Sequence, residues 1–419
     1  MSVAFANALS GLTAHAAAIN IVSSNLANLN TTGYKNQQVS FEDLVNESLS
    51  GITGSTTVSG STSAKGVQQF SQGSLQTTNN PFDAAIQGGG FFVLRGSSDQ
   101  QLFTRQGDFK IDATGHLVTS GGQNVQGWNA QNSLLTTSGP TSDITIPTGL
   151  ALPPKATTQF ALSVNLNSNA VVGSPESKFS SPVQVFDAQG NAHTLTVTYT
   201  ETAVNAWSFD VTIPSAELTA GVGATTSVGS GTLTFDGTGK LVTPALAGGN
   251  IPITIAGLAS GAADMAVTWK LYTAAGNPTV TQNTAVSANV FNSQDGYRSG
   301  QLSSLGIGAG GVLVAKFSNG ATQNVAQVAV ASVANPGSMQ QLGGNAWVPT
   351  STTAAPVVGV SSTGARGQIT GGALESSTVD IATEFPNLLQ YERGYQANSK
   401  VITTEDQIVQ ETIALISGR

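Results

Sequence analysis

Hydrophobic residues recur at helical spacing at the two ends of the chain. From Phe5 onward, apolar or small residues alternate steps of four and three, as they do along a helix that packs against another helix. These positions are Phe5, Leu9, Leu12, Ala16, Ile19, Ser23 and Leu26. Near the other end, a repeat of seven residues links Leu388, Tyr395, Ile402, Val409 and Ile416. The pattern predicts an amphipathic helix at each terminus.

Short apolar or alternating runs replace the helical period in the middle of the chain. Residues 90–94, 101–104 and 108–111 are such runs, and Gly or Asp bounds them. Runs of this length with these boundaries are typical of strands. The middle of the chain is therefore predicted to be mostly β-sheet.

Three Asp-x-x-Gly sequences predict tight hairpin turns. They lie at Asp112 to Gly115, Asp187 to Gly190 and Asp236 to Gly239. Asp accepts a hydrogen bond from the backbone of its own turn, and Gly adopts the positive φ that such a turn needs. Apolar and polar residues alternate at 194–199 and 207–213, next to the middle turn. It predicts an antiparallel sheet with one face in water.

Shifts in composition divide the chain, which we interpret as an α+β multidomain protein. A stretch rich in Ser, Thr, Gly and Gln at 53–74 predicts an extended connector. Further boundaries near Pro147 and Asn283 predict an all-β domain inserted into another. The predicted parts are a terminal helical assembly domain of residues 1–34 and 375–419, a connector of 35–74 and 361–374, a discontinuous inner β domain of 75–146 and 284–360, and an inserted outer β domain of 147–283. Joining the halves of the inner domain brings the terminal helices together.

Composition excludes several function classes. Only 9% of the 419 residues are charged, the net charge is -8, and no Lys/Arg cluster is present, which argues against nucleic acid as a partner. The absence of Cys excludes disulfides and thiolate chemistry. Polar residues such as Asn7, Ser10 and His15 interrupt the uncharged N-terminus. We therefore expect no cleaved secretory signal and no membrane-embedded helix.

The chain shows no clear pattern for catalytic, cofactor-binding or metal chemistry. Its three histidines, His15, His116 and His193, lack metal-ligand spacing, and we expect them in solvent or in turns. The sequence at 306–311 matches G-x-G-x-x-G, but a predicted strand at 312–317 follows it where a phosphate site needs a helix. The prediction is a protein that is not an enzyme and has no cofactor.

Two interpretations of the terminal helices remain open. An amphipathic helix alone in water is marginally stable, so both helices need partners. The two could pair within one chain, or they could also contact other copies of the chain. In the second case, the predicted assembly residues are Phe5, Leu9, Leu12, Ile19, Leu26, Leu388, Tyr395, Ile402, Val409 and Ile416.

Several sequence motifs resemble those of bacterial flagellar rod and hook proteins. The N-terminal ones are Ser10-Gly-Leu-Thr-Ala14, Ser23-Ser-Asn-Leu-Ala-Asn28 and Thr31-Thr-Gly-Tyr-Lys35. Those further along are Phe82 to Phe92, Phe103 to Phe109, Gly364 to Gly367, Leu374 to Asp380 and Tyr391 to Lys400. The segment 181–195 is similar to the outer domain of flagellar hook proteins, and rod proteins are usually shorter. The chain is thus identified as a member of this axial family, with the hook branch favoured.

The resemblance implies a structural subunit that is exported unfolded, without a cleaved signal peptide, and polymerises into a curved hollow tube. That tube would be the extracellular universal joint between rod and filament. The implied partners are other copies of the chain, the distal rod protein, the hook cap protein, the hook-filament junction protein and the flagellar type III export apparatus. The alternatives are a distal rod or other axial protein, or a secreted glycan-binding protein that uses Trp128, Trp207, Trp269 and Trp347 as stacking platforms.

Overall fold

Two long helices occupy the ends of the chain, and strands dominate the residues between them. A computed structural model describes residues 3–45, 60–96, 98–131, 134–147 and 149–417. Helix α1 spans Val3–Ala27 and helix α2 spans Ile381–Ser417. The predicted terminal helices and mostly β middle are confirmed.

The chain divides into two compact units. The first comprises Met1–Thr148, Leu305–Ala315 and Gln323–Arg419, and the second comprises Gly149–Ser304 and Lys316–Thr322. The strands before the second unit are β1 Gln37–Val45, β2 Gly60–Gln68, β3 Leu75–Thr77, β4 Ala84–Gln87, β5 Phe91–Arg95, β6 Gln101–Thr104, β7 Phe109–Ile111, β8 Leu117–Thr119, β9 Asn124–Asn129 and β10 Ser142–Asp143.

The strands of the second unit begin with β11. They are β11 Ala151–Leu152, β12 Gln159–Asn167, β13 Lys178–Phe186, β14 Ala192–Ala203, β15 Ala206–Pro214, β16 Thr225–Phe235, β17 Leu241–Thr243, β18 Asn250–Ile255, β19 Met265–Lys270, β20 Val280–Asn283 and β21 Ala288–Gln294. The unit boundaries then fall within β22 Gly300–Ile307, β23 Val312–Phe317 and β24 Thr322–Val328. The remaining strands are β25 Val330–Ser332, β26 Gln340–Gly343, β27 Ala346–Val348, β28 Val357–Gly359, β29 Gln368–Gly371 and β30 Ala373–Glu375.

Strands from both halves of the first unit build its main sheet. The order is β9-β5-β6-β27-β26, and β25 also pairs with β5. Phe91, Phe103 and Trp347 form the core on one face of this sheet, and the rings of Phe91 and Trp347 meet edge to face at 5.9 Å. This packing favours a unique arrangement of the rings.

Short antiparallel pairs join early and late parts of the chain. Strand β3 pairs with β30, and β4 pairs with β29. Strands β1 and β2 form a separate antiparallel pair in which Gln37 lies opposite Gln68. Residues 60–68 of the predicted connector therefore belong to a hairpin, whereas residues 46–59 lie outside the described part of the chain.

The second unit is a sandwich of two sheets around one core. One sheet has the antiparallel order β13-β14-β15-β16-β17, and the other has the order β18-β19-β12-β20 with β21 also paired to β12. Inward residues of both sheets share one hydrophobic cluster, in which Trp207, Trp269 and Tyr199 are fully buried. The alternation predicted for the first sheet is confirmed.

The boundary after the second unit differs from the predicted one at Asn283. Strand β21 pairs with β12 from Phe160 to Asn165, and the side chain of Asp295 accepts a hydrogen bond from the backbone of Thr158 at 2.8 Å. Residues 284–287 are thus a loop within one sheet, although their composition resembles that of a linker. The boundary before the second unit lies at Thr148, close to the predicted Pro147.

All three Asp-x-x-Gly turns are present, and the middle one is buried. Gly115, Gly190 and Gly239 have φ values of 86°, 88° and 78°. The Asp187 carboxylate accepts hydrogen bonds from the backbone of Asn191 at 2.9 Å and from Ser260 Oγ at 3.0 Å. Burial opposes its ionisation, but these hydrogen bonds and one from His193 outweigh burial and lower the pKa of Asp187 to about 2.

Two histidines differ from the expectation of a solvent or turn position. His193 is buried, with Nδ1 at 2.6 Å from Glu217 and Nε2 at 3.2 Å from Asp187. His15 packs its ring 5.6 Å from that of Phe41. Neither position was predictable from local sequence, because Glu217 lies 24 residues from His193 and the ring contacts of His15 are with Phe41 and Tyr391. In the described residues, no three His, Asp or Glu side chains are grouped as metal ligands would be.

We predict that Asp187→Asn destabilises the second unit in a pH-dependent way. Because the pKa of Asp187 is lower in the folded state, the carboxylate stabilises the fold fully above about pH 4, and this stabilisation is lost as the pH falls towards 2. Asp187→Asn should lower the free energy of unfolding by about 2 kcal/mol at neutral pH and by much less at pH 2. Urea unfolding followed by tryptophan fluorescence measures the difference.

Asp236→Asn is the matched control, since Asp236 begins the same kind of turn but is only partly buried, whereas Asp187 is fully buried. At neutral pH this substitution should lower the free energy of unfolding clearly less than Asp187→Asn does. A loss from Asp187→Asn that is constant between pH 7 and pH 2 would contradict the assigned hydrogen bonding.

Candidate assembly surface

Helices α1 and α2 pack against each other in antiparallel orientation. A side-chain carbon on Gly11 would lie 2.9 Å from Nδ2 of Asn398. Further along α1, Nδ2 of Asn25 donates a hydrogen bond to Oε1 of Glu384 at 3.1 Å. Residues later in α1 thus contact residues earlier in α2, as they do in an antiparallel pair. The pairing within one chain, left open by the sequence, is present.

Small residues form the contact of α1 with its surroundings. The buried residues of α1, which we call the α1 seam, are Ala8, Ala14, Ala18, Val22 and Asn25. Beside this seam, a side-chain carbon on Gly394 would lie 2.5 Å from the ring of His15. The backbone of α2 therefore approaches His15 closely because residue 394 has no side chain.

The α1 seam is not the stripe that the sequence predicted. It lies about one residue, or roughly 100° of helix rotation, from that stripe. Leu9 is 45% exposed, and Phe5, Leu12, Ile19 and Leu26 are only partly buried. The larger apolar side chains of α1 therefore keep accessible surface after the helices have paired.

The predicted stripe of α2 is divided between two environments. Leu388 and Ile402 are partly buried, whereas Tyr395 is 38% and Val409 is 48% exposed. Ile416 lies in the helix, but its side chain is outside the described part of the structure. One line of residues is thus partly buried at some positions and exposed at others.

The last part of α2 extends beyond the described start of α1. From the pairs Gly11 with Asn398 and Asn25 with Glu384, Val3 lies opposite Asp406. Residues 407–417 continue for about three further turns. Along α2 as a whole, the exposed large apolar side chains are Ile381, Phe385, Leu389, Tyr395, Val401, Ile408, Val409, Ile413 and Leu415.

By length and composition alone, α1 could also cross a membrane. The apolar stretch is Ala4–Ala27, most of which is not buried inside the subunit. Hydropathy of this kind is shared by helices that pack against protein, so it does not distinguish the two environments.

Asn25 connects the two helices to β1. Its Nδ2 donates to the Gln37 carbonyl at 2.8 Å as well as to Glu384. Its Oδ1 accepts from the Gln37 backbone at 3.0 Å and from the Tyr34 hydroxyl at 3.3 Å. Burial raises the pKa of Glu384, although the hydrogen bond from Asn25 acts in the opposite direction. A buried amide with all these partners fixes the start of α2 beside the end of α1.

A buried ionic cluster includes one residue that follows α1 in the chain and one that precedes α2. Oε1 of Glu375 lies 2.6 Å from Nζ of Lys35, and Oε2 lies 3.1 Å from a guanidinium nitrogen of Arg105. The backbone of Gly73 donates a further hydrogen bond to Oε1 at 2.8 Å. We call Lys35, Arg105 and Glu375 the Glu375 cluster. All three residues are buried.

Backbone carbonyls accept further hydrogen bonds from the two cations. Lys35 Nζ donates to the Ser71 carbonyl at 2.5 Å, and Arg105 donates to the Gly88 carbonyl at 2.7 Å. Burial lowers the pKa of both Lys35 and Arg105, and the Glu375 carboxylate opposes this. Gly33 has a φ of 68° and a side-chain carbon there would lie 2.6 Å from the Arg105 backbone, so the position requires glycine.

Four known families match successive parts of the chain. Residues 5–35 match the flagella basal body rod protein family, and residues 85–170 match the flagellar hook protein FlgE/F/G D1 domain. Residues 173–297 match the flagellar basal body protein FlaE D2 domain, and residues 370–415 match the flagellar basal body rod FlgEFG protein C-terminal family.

Relatives from several bacteria align over nearly the whole chain. The flagellar hook protein FlgE of Salmonella typhimurium is 32% identical, and the alignment covers 99% of this chain and 100% of the relative. The chain belongs to the flagellar hook protein family. The hook protein FlgE of Treponema pallidum is 30% identical, over 97% of this chain and 98% of the relative.

A solved structure supports the same fold. The flagellar hook protein FlgE2 of Helicobacter pylori has a TM-score of 0.54 and 15% sequence identity, covering 70% of this chain and 99% of that one. The hook subunit is a structural protein of the flagellar hook rather than an enzyme. Its family implies that copies of the chain polymerise there.

The Glu375 cluster takes one residue from each of three family segments. Lys35, Arg105 and Glu375 lie in the rod-type, D1 and C-terminal matches of the hook subunit. Sequence reasoning quoted these residues within motifs but assigned them no role. In a chain with only 9% charged residues, a charge inside a Gly-rich or apolar motif was the signal that could have identified them.

We predict that Glu375→Gln lowers the free energy of unfolding of the hook subunit by about 3–5 kcal/mol, because Lys35 and Arg105 would remain buried without a counter-charge. Urea unfolding, followed through the buried Trp128 and Trp347, measures this change. Glu392→Gln on the exposed surface of α2 is the matched control and should change stability by about 0.5 kcal/mol or less. Equal effects of the two substitutions would contradict the role of the cluster.

Proposed function

We propose that the hook subunit polymerises through the surfaces of α1 and α2 that remain uncovered after the two helices have paired. The resulting polymer would be a curved hollow tube that acts as a universal joint and transmits torque from rod to filament. The observation that supports this proposal is the exposure of large apolar side chains along both helices of the paired structure.

Energetics favour covering these side chains. Fully burying a Leu, Ile or Phe contributes about 1.5–3 kcal/mol, and contiguous exposed apolar surface marks interaction sites. Leu9, Tyr395 and Val409 are available for contacts with other copies. The partly buried Phe5, Leu12, Ile19, Leu26, Leu388 and Ile402 would add their remaining surface, and Ile416 would extend the α2 line.

The two units suit different layers of such a tube. The paired helices would form the inner layer around the channel, and the β-sheets of the first unit would surround it. The second unit has its own core and no long helix among its residues, all of which the structure describes. It would form the outer layer, as the inserted outer domain predicted from the sequence.

Contacts with other flagellar proteins follow from the position of a hook. We propose the distal rod protein, the hook cap protein and the hook-filament junction protein as neighbours. Unfolded export by the type III apparatus, without a cleaved signal peptide, would deliver the subunit outside the cell. The assignment to the hook rather than to the rod rests on the relatives that align over nearly their whole length.

The glycan-binding alternative has little structural support. Trp207, Trp269 and Trp347 are fully buried, and Trp128 is 6% exposed. Stacking on a sugar needs an accessible ring face, so these residues serve the sheet cores. The interpretation of the tryptophans as packing residues is confirmed.

We predict that Leu9→Asp and Val409→Asp prevent assembly without unfolding the subunit. Both side chains are about half exposed, so the charge becomes desolvated only in contacts between copies, where it costs several kcal/mol per site. The measurement is the amount of hook on basal bodies from cells that lack their own hook protein. We expect at least about a tenfold reduction.

Val204→Asp is the control, because Val204 is 85% exposed and lies in the turn between β14 and β15. It should leave assembly unchanged. Hooks of normal number and length from Leu9→Asp and Val409→Asp would overturn the proposed surface.

A second prediction concerns protection from trypsin. Arg393 and Lys400 are exposed on α2, so the monomer should be cut after both residues and the polymer should be protected. Lys35 and Arg105 are buried and should resist cleavage in both forms. Electrophoresis and mass spectrometry of timed digests measure this, and equal cleavage at Arg393 in monomer and polymer would count against burial of α2 by assembly.

A further inference from the structure

Strand β21 is an open edge of the second unit. Within the sheet, β12 pairs with β19 and β20 on one side and with β21 on the other, since Phe160 faces both Trp269 and Gln294. In this unit, every residue of which is described, β21 pairs only with β12. Its outer backbone groups therefore have no strand partner within the sheet.

The other edge strands of this unit carry features that discourage pairing with another chain. Strand β13 contains Lys178 and Pro182, and β18 contains Pro252. Strand β17 has only three residues, and β20 has four. Short length, Pro and Lys are the usual protection of sheet edges.

Strand β21 lacks these features. It has seven residues, without Pro or charge, and the sequence is uncharged from Asn283 to Gln294. Val286 is 81%, Val290 is 75% and Phe291 is 63% exposed. The pairing with β12 shifts between Asn289 and Phe291, so Val290 is the extra residue of a β-bulge. A bulge is one feature that can protect an edge, but the pairing is regular again from Phe291 to Gln294.

We propose that the β21 edge, defined as residues 286–294, is a contact surface for a second copy of this chain. The proposal rests on the proposed polymerisation and deepens it, because it assigns a contact outside the helices. The chain has a net charge of -8, so two copies repel least where their surfaces carry no charge. An uncharged edge with free backbone groups and accessible Val and Phe side chains meets this condition.

The first experiment compares Val290→Lys and Phe291→Lys with Val204→Lys in the full chain. Polymer is assembled in vitro, and the concentration of subunit that remains unassembled is measured. We expect it to rise at least about tenfold for the edge variants and to stay within about twofold for Val204→Lys. Urea unfolding of each monomer checks that the second unit remains folded.

The second experiment uses the absence of cysteine. Val290→Cys and Val204→Cys are labelled with benzophenone maleimide and irradiated as monomer and as polymer. The expected result is covalent dimers from labelled Val290→Cys in the polymer only, with few or none from Val204→Cys.

The outcomes separate this inference from the proposed function. If the unmodified chain forms no polymer, the proposed function fails. If it polymerises but Val290→Lys and Phe291→Lys assemble as well as Val204→Lys, or if the two cysteine sites give equal dimer yields, the β21 contact is wrong and polymerisation through the helices still stands.

Discussion

The Glu375 carboxylate lies in the interior of the first unit, where it meets Lys35 and Arg105. Three distant parts of the chain must come together before both cations have their counter-charge. A buried pair of this kind adds little net stability compared with apolar packing, but loss of one partner is costly. The cluster therefore specifies which segments meet. The antiparallel pairing of β3 with β30 joins the same early and late parts of the chain.

The position of the two helices follows from this arrangement. Asn25 bonds to Gln37 and Glu384, just beyond the segments that the cluster holds. Gly11 and Gly394 then allow α1 and α2 to approach closely. Most of the buried positions of α1 are alanines, so its larger apolar side chains remain partly or largely exposed. The same geometry that completes the subunit thus leaves a surface for neighbouring copies.

Local patterns in the sequence predicted the elements, but not the contacts between distant elements. The seven-residue repeat from Leu388 predicted α2, and Asp187 with Gly190 predicted its turn, because both signals depend on near neighbours. The buried face of α1 could not be predicted, since Ala14 and Ala18 are as compatible with a packed position as the larger residues. Likewise, the partners of Glu375 lie 340 and 270 residues away.

Hydrogen–deuterium exchange of monomer and polymer tests the central claim most directly. The claim predicts that amides around Lys35, Arg105 and Glu375 are protected in both forms, whereas amides of residues 407–417, the part of α2 that extends past α1, exchange in the monomer and become protected in the polymer. Amides at 407–417 that are fully protected in dilute monomer and unchanged by polymerisation would contradict the claim that the exposed helix surface contacts other copies.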